Sequence, residues 1–333
     1  MQLRDIVVIG TSAGGVEACK KLVTSIPPDF GGSIFIVIHL PRNGVSYMPQ
    51  LLSQWSPLPA VHPKDGAPIL PGRIYVAPPD FHMLVKPGRI RLIPGPEENY
   101  ARPAIDPLFR SAAAAYGNRV VGVVLSGNLD DGTAGLKVIQ EKGGITVVQD
   151  PEDALFSGMP ASAAARVRVN YILPLDEIAA LLADLVQTEA AEAAAISNPG
   201  EKEEKDILEI SLDDLQTRVE TGEATGLTCP QCGGILREKV LGDSAEFRCR
   251  VGHAFSSGHL ETALAENVES ALWNAVRVLE EKEQLYHRLA ARMEHLEIQR
   301  SAGHFETRGK KASQDARIIR KIIMEGEKKV ETS

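Results

Sequence analysis

The sequence predicts an open, doubly wound α/β domain with a mostly parallel sheet, followed by two smaller units. Three observations predict it. Short β-rich runs alternate with helical stretches over residues 1–186. Runs such as Ile6 to Ile9 and Val120 to Leu125 are apolar on both faces, as strands covered by helices on both sides are. The chain has 333 residues, about twice a typical ~150-residue domain.

The elements follow in order. Strands are expected at Ile6–Gly10, Ser33–His39, Arg73–Ala77, His82–Lys86, Arg89–Ile93, Val120–Ser126, Ile145–Gln149 and Tyr171–Leu173, where β-branched and aromatic residues concentrate. Lys86-Pro87-Gly88-Arg89 reads as a hairpin turn between two of them. Helices are expected at Gly15–Ser25, Tyr47–Trp55, Ile105–Tyr116, Gly132–Lys142, Met159–Ala165 and Leu175–Val186. No internal repeat is visible.

Net charge is −8, and it is concentrated. Residues 1–186 hold 16 basic and 17 acidic side chains, residues 187–226 hold 3 and 11, and residues 227–333 hold 17 and 16. The acidic segment has few aliphatic residues and no aromatic one, so it reads as a solvated linker with a short helix around Ile207 to Leu215. The boundaries are thus 1–186, linker 187–226, 227–257 and 258–333. Neither flanking unit carries the basic excess of a nucleic-acid binder. No apolar run approaches the ~20 residues of a membrane span, and the N-terminus enters a strand at once, which argues against a signal peptide. The expected compartment is the cytoplasm.

Open α/β sheets bind ligands beyond the carboxyl ends of their strands. Three polar residues fall there. Ser12 follows the first strand in Gly10-Thr11-Ser12-Ala13-Gly14-Gly15, His39 ends the second, and Asp131 follows Val120–Ser126. A serine hydroxyl becomes nucleophilic when a neutral imidazole takes its proton, and a carboxylate on the other ring nitrogen fixes the tautomer. The glycines beside Ser12 open a helix whose free N–H groups can form part of an oxyanion hole. Other readings stand beside this one. The glycines also form a degraded dinucleotide fingerprint, with Ser12 where the second glycine belongs. Taken alone, a strand-end histidine such as His39 is more often a satisfied structural residue. Asp131 reads as a cap for the helix near Gly132, and Asp130 is its rival in either role.

At these residues the sequence resembles the catalytic domain of the chemotaxis protein-glutamate methylesterases, the CheB family. The resemblance rests on an ordered set of motifs: Ile-Gly-Thr-Ser-Ala-Gly-Gly at 9–15, Ile-His-Leu-Pro at 38–41, Tyr-Val-Ala-Pro-Pro-Asp at 75–80, Arg-Pro-Ala-Ile-Asp-Pro-Leu-Phe at 102–109, Leu-Ser-Gly-Asn-Leu-Asp-Asp-Gly at 125–132 and Phe-Ser-Gly-Met-Pro at 156–160. It implies Ser12 as nucleophile, His39 as general base and Asp131 as the orienting carboxylate, with backbone N–H groups of Ala13 and Asn128 at the oxyanion. The implied reaction is hydrolysis of glutamate γ-methyl esters on chemoreceptor helical domains, with glutamine deamidation by the same acyl-enzyme chemistry and no catalytic cofactor. The implied partners are methyl-accepting receptors and other chemotaxis-type signalling proteins. The family usually carries a receiver domain before the esterase. Here Ser12 stands near the start of the chain, so regulation without that domain is expected. Ala13 and Asn128-Leu129 replace the usual threonine and Met-Gly. His82, Asp106, Arg110 and Met159 read as rim or framework positions.

Beyond the linker, Cys229-Pro-Gln-Cys232 and Cys249-Arg-Val-Gly-His253 supply the two turns of a Cys₃His structural zinc site. The fourth cysteine, Cys19, reads as a small core residue. Apolar residues from Leu260 to Leu296 recur at three, four or seven, giving an amphipathic helix of about forty residues. A second helix is expected near Ala312–Met324, completing a helical hairpin or a coiled coil. Two classes of function therefore compete: a serine esterase, and a catalytically weak signalling adaptor that recruits partners through its zinc and helical tail.

Overall fold

The computed structural model describes residues 3–39, 45–190, 222–241 and 244–330. The core of the acidic segment, including the helix expected at Ile207 to Leu215, lies outside the described residues. The chain divides into two compact units, Met1–Leu260 and Glu261–Ser333.

The first unit begins with nine strands: β1 (Ile6–Thr11), β2 (Ser33–Ile38), β3 (Ala60–Val61), β4 (Arg73–Val76), β5 (His82–Lys86), β6 (Arg89–Ile93), β7 (Val120–Val124), β8 (Ile145–Gln149) and β9 (Tyr171–Leu173). Seven of them form one sheet in the order β3-β4-β2-β1-β7-β8-β9. Every pairing in it is parallel. On one side of β1 the chain lays β2, then β3 at the edge and β4 between them, and it returns to lay β7, β8 and β9 outward on the other side. The switch point between β1 and β7 is where such sheets hold their sites.

Six helices cover the faces: α1 (Gly15–Thr24), α2 (Met48–Trp55), α3 (Ile105–Tyr116), α4 (Thr133–Glu141), α5 (Gly158–Arg166) and α6 (Leu175–Leu185). Side chains alternate across a strand. Val7 and Ile9 accordingly pack with Cys19 and Leu22 of α1 and Leu182 of α6, while Val8 packs on the other face with Phe109 of α3, Leu136 of α4 and Met159 of α5. Cys19 is fully buried, and that burial pushes its thiol up to about 12, as an inert core residue requires.

β5 and β6 form the antiparallel hairpin expected around Lys86-Pro87-Gly88-Arg89, as a two-stranded sheet of its own beside the parallel one. β3 was not expected, since a two-residue strand carries no period to read.

An antiparallel sheet follows in the same unit, from β10 (Glu223–Thr228), β11 (Ile235–Leu241), β12 (Ser244–Cys249) and β13 (Ala254–Ser256). Helix α7 (Ser257–His295) starts there and runs on into the second unit, where α8 (Gln299–Val330) follows it. α8 begins well before the predicted Ala312. Its first turns hold few aliphatic residues, but Ala302 is buried and Phe305 stacks on Tyr286 with ring centroids 6.3 Å apart. Tertiary contact sets this boundary where periodicity was weak. Among the described residues no helix is long and apolar enough to cross a membrane.

Candidate active site

The β1–β2 register pairs Thr11 with Ile38, so the next residues, Ser12 and His39, emerge side by side at the carboxyl edge. The His39 N–H donates to the Thr11 carbonyl at 3.3 Å, and the Ser12 N–H donates to the Ser126 carbonyl beyond β7 at 3.0 Å. Ser12 is thereby fixed between the ends of β2 and β7. Both it and His39 are partly exposed, as residues that meet a substrate must be.

Close approach of the β7 loop to Ser12 depends on Gly127. A Cβ there would stand 3.0 Å from Ser12 Cβ and 2.2 Å from Met159 Sδ. Asn128 follows Gly127 directly in the chain, as Ala13 follows Ser12.

Asp131 is fully buried, and five donors converge on it. Oδ2 accepts from His39 Nε2 and from the Ile105 N–H, each at 2.8 Å. Oδ1 accepts from Gly132 N (3.0 Å), Asn99 Nδ2 (3.1 Å) and Asp106 N (3.4 Å). Asp131 therefore sits at the N-terminus of α3, where helix N–H groups favour negative charge. Gly10 admits that helix: a Cβ on it would lie 2.3 Å from the Ile105 side chain. Burial alone would push the Asp131 carboxyl up. The bond from His39, its facing charge and the Ile105 N–H outweigh burial and hold the carboxyl far below its ordinary range. Burial and the Asp131 charge push the neighbouring Asp106 well above its ordinary value. Of these two carboxyls, Asp131 is the one whose surroundings favour the charged form.

A carboxylate only accepts, so His39 donates to Asp131 from Nε2, and Nδ1 is the ring nitrogen turned away from the carboxylate. Serine proteases use the two ring nitrogens the other way round. The alternatives for the aspartates separate cleanly. Asp130 does not face His39; its carboxylate takes His259 Nδ1 and Ser256 Oγ at 2.6 Å each, and Arg166 at 2.8 Å.

The framework residues have structural partners. His82 donates from Nε2 to the Pro96 carbonyl (2.8 Å) and accepts the Ala104 N–H (3.2 Å). Asp106 accepts the Gly135 N–H at 2.7 Å, and Arg110 pairs with Glu98 at 2.5 Å. Asn99 escaped the sequence reading, because a loop asparagine in Glu-Glu-Asn-Tyr carries no periodic or spacing signal.

Cys229, Cys232, Cys249 and His253 present four ligand atoms within 4.8 Å of one another. Cys232 Sγ to Cys249 Sγ is 3.6 Å, and His253 Nδ1 lies 3.6 Å from Cys229 Sγ and 3.5 Å from Cys249 Sγ. A tetrahedral zinc site with metal–sulfur bonds of about 2.3 Å has edges of roughly 3.5–3.8 Å. The group fits such an ion and leaves no fifth position for a substrate.

Fold and site together define a class: a doubly wound α/β protein with a serine beside a histidine–carboxylate pair at the switch point. Comparison with known proteins narrows it. The model of the CheB methylesterase family matches residues 7–182, and the chain belongs to that family. A protein from Caulobacter vibrioides named protein-glutamate methylesterase/protein-glutamine glutaminase 2 is 38% identical over 191 residues, covering 56% of this chain and 55% of its own length. A relative from Leptospira interrogans is 37% identical over 184 residues, covering 55% of this chain and 95% of its own length. The chain thus spans about half of the first relative and nearly all of the second. The solved CheB methylesterase catalytic domain of Thermotoga maritima superposes with a TM-score of 0.53 at 32% identity, over 55% of this chain and 98% of that one.

Proposed function

We propose that the chain is a serine hydrolase of protein glutamate γ-methyl esters, with Ser12 as nucleophile, His39 as general base and Asp131 as the carboxylate that orients His39. The observation that carries this reading is the His39–Asp131 bond at 2.8 Å, made one residue beyond the strand register that sets His39 beside Ser12. His39 Nδ1 takes the hydroxyl proton as Ser12 Oγ attacks the ester carbonyl. The developing oxyanion meets the backbone N–H groups of Ala13 and Asn128, each such donor contributing about 3 kcal/mol. Collapse returns the proton from His39 to the leaving oxygen, releasing methanol and an acyl-enzyme. Water, activated by the same nitrogen, then releases the glutamate and free serine. Glutamine deamidation differs only in the leaving group, ammonia.

The names of the relatives support both substrates. The substrate class is methylated glutamate on the helical domains of chemoreceptors, in the cytoplasm, with other chemotaxis-type signalling proteins as further partners. Zinc at Cys229, Cys232, Cys249 and His253 is structural, since four protein ligands close the site.

The test is methanol release from methylated receptor fragments. Ser12→Ala is expected to lower kcat by at least ~10³-fold. Equal rates in the two proteins would leave the chain as a non-enzymatic adaptor.

A further inference from the structure

Asn99 joins the catalytic sheet to the cysteine-bearing ribbon. Its Nδ2 donates to Asp131 Oδ1 at 3.1 Å, while its Oδ1 accepts the Ser256 N–H of β13 at 3.0 Å. Its own N–H donates to the Ala254 carbonyl of β13 at 2.8 Å, and the Ala254 N–H donates to the Glu97 carbonyl at 3.1 Å. Loop 97–99 is thus held as an extra edge on the ribbon sheet.

The backbone here is one that a loop does not hold unaided. Asn99 and Tyr100 both adopt left-handed φ values, 52° and 59°. The Tyr100 ring leans on Phe255 of β13 with centroids 5.2 Å apart. Ribbon residue Arg248 reaches Glu98 at 3.7 Å. Asn99 itself is buried, so it does not touch a substrate.

β13 begins immediately after His253, and β12 ends on Cys249. The two metal ligands are therefore the turn that aligns β13 with β12. A ribbon of this size has little core of its own and depends on its ion for shape. The route from ion to carboxylate runs His253, Ala254, Ser256, Asn99, Asp131.

We infer that Asn99 is a positioning residue for the Asp131–His39 pair and that the metal-bound ribbon holds it in place. This rests on the reading of Ser12, His39 and Asp131 as the esterase site. Four donors besides Asn99 also serve Asp131, so its loss misaligns the carboxylate rather than removing it.

The test uses the full, metal-loaded chain. Asn99→Ala is expected to lower kcat about 10-fold with KM unchanged. In an Asp131→Ala background the same substitution is expected to have little further effect, because the other contact of the amide, to Asp106 Oδ2 at 3.5 Å, touches neither Ser12 nor His39. If Asn99→Ala folds poorly, Asn99→Asp keeps the volume and the acceptor for Ser256 but sets a carboxyl against Asp131 in place of the amide donor, and is expected to lower kcat at least as much. Stripping the ion with a zinc chelator, confirmed by metal content, is expected to lower wild-type kcat by a similar factor and to leave Asn99→Ala unaffected. In NMR spectra the Asn99 side-chain amide protons are expected to be protected in the loaded protein and to exchange after stripping. A kcat and an Asn99 amide signal both unchanged by complete metal loss would overturn the proposal, as would an equal loss from Asn99→Ala with or without Asp131. Ser12→Ala run alongside separates the two readings: if it matches wild type the esterase assignment falls, while the amide signal still decides whether the ribbon holds Asn99.

Discussion

Asp130 and Asp131 are consecutive, yet their carboxylates go to different histidines: Asp130 to His259 at 2.6 Å and Asp131 to His39 at 2.8 Å. The backbone makes the separation. Leu129 and Gly132, on either side of the pair, hold left-handed φ values of 63° and 89°. One carboxylate therefore turns toward His39 at the carboxyl edge of the sheet and the other toward the start of α7.

Asp131→Asn is expected to lower kcat by about 10⁴-fold, because an amide cannot both accept from His39 and satisfy the donors that surround this site. Steady-state methanol release measures it. A loss below tenfold would remove Asp131 from its proposed role.

Asp131 also makes stability depend on pH. Its folded carboxyl lies below its unfolded value of about 3.9. Its contribution is therefore fully present above that value and is lost as pH falls toward the folded one. Wild type is expected to melt higher than Asp131→Asn at pH 6, with the gap narrowing progressively below about pH 4. Melting curves across that range check it; a gap that holds constant would contradict the charge assignment.

Gly127→Ala puts a methyl group 2.2 Å from Met159 Sδ and 3.0 Å from Ser12 Cβ. Overpacking of this kind costs about 1–3 kcal/mol. Because the displaced loop carries Asn128, kcat is expected to fall about tenfold or more. Urea denaturation and the methanol assay read the two effects, and a wild-type result in both would refute the packing account.

His259→Ala leaves buried Asp130 with Ser256 and a half-exposed Arg166. Breaking a buried pair from one side costs about 3–5 kcal/mol. Chemical denaturation is the measurement, and a change under about 1 kcal/mol would mean the pair contributes little.

Cys232→Ser is expected to lower bound zinc from one ion per chain to substoichiometric levels after gel filtration. A fully loaded variant would exclude Cys232 as a ligand.

Much of this site was legible in the primary structure. Ser12, His39 and Asp131 each follow an apolar run that can only be a buried strand, and strand ends of an open sheet are where chemistry collects. The Cys₃His group was legible because metal geometry imposes spacing on both pairs. Asn99 was not: it lies 32 residues from the carboxylate it serves, in a loop without pattern. The hairpin of His82–Lys86 and Arg89–Ile93 was legible in its Pro-Gly turn, but its separation from the main sheet was not, since that depends on which distant strands it meets.

By itself, then, the sequence determined the alternation that builds the sheet, the residue types at its carboxyl edge and the metal-ligand spacing. These are local properties, set by side-chain period and short-range geometry. Only the tertiary structure decided which aspartate faces His39, which imidazole nitrogen meets that carboxylate, and that β13 reaches Asp131 through Asn99. Those outcomes depend on groups from distant segments meeting in a buried space, where each hydrogen bond is fixed by the packing of elements that no local pattern encodes.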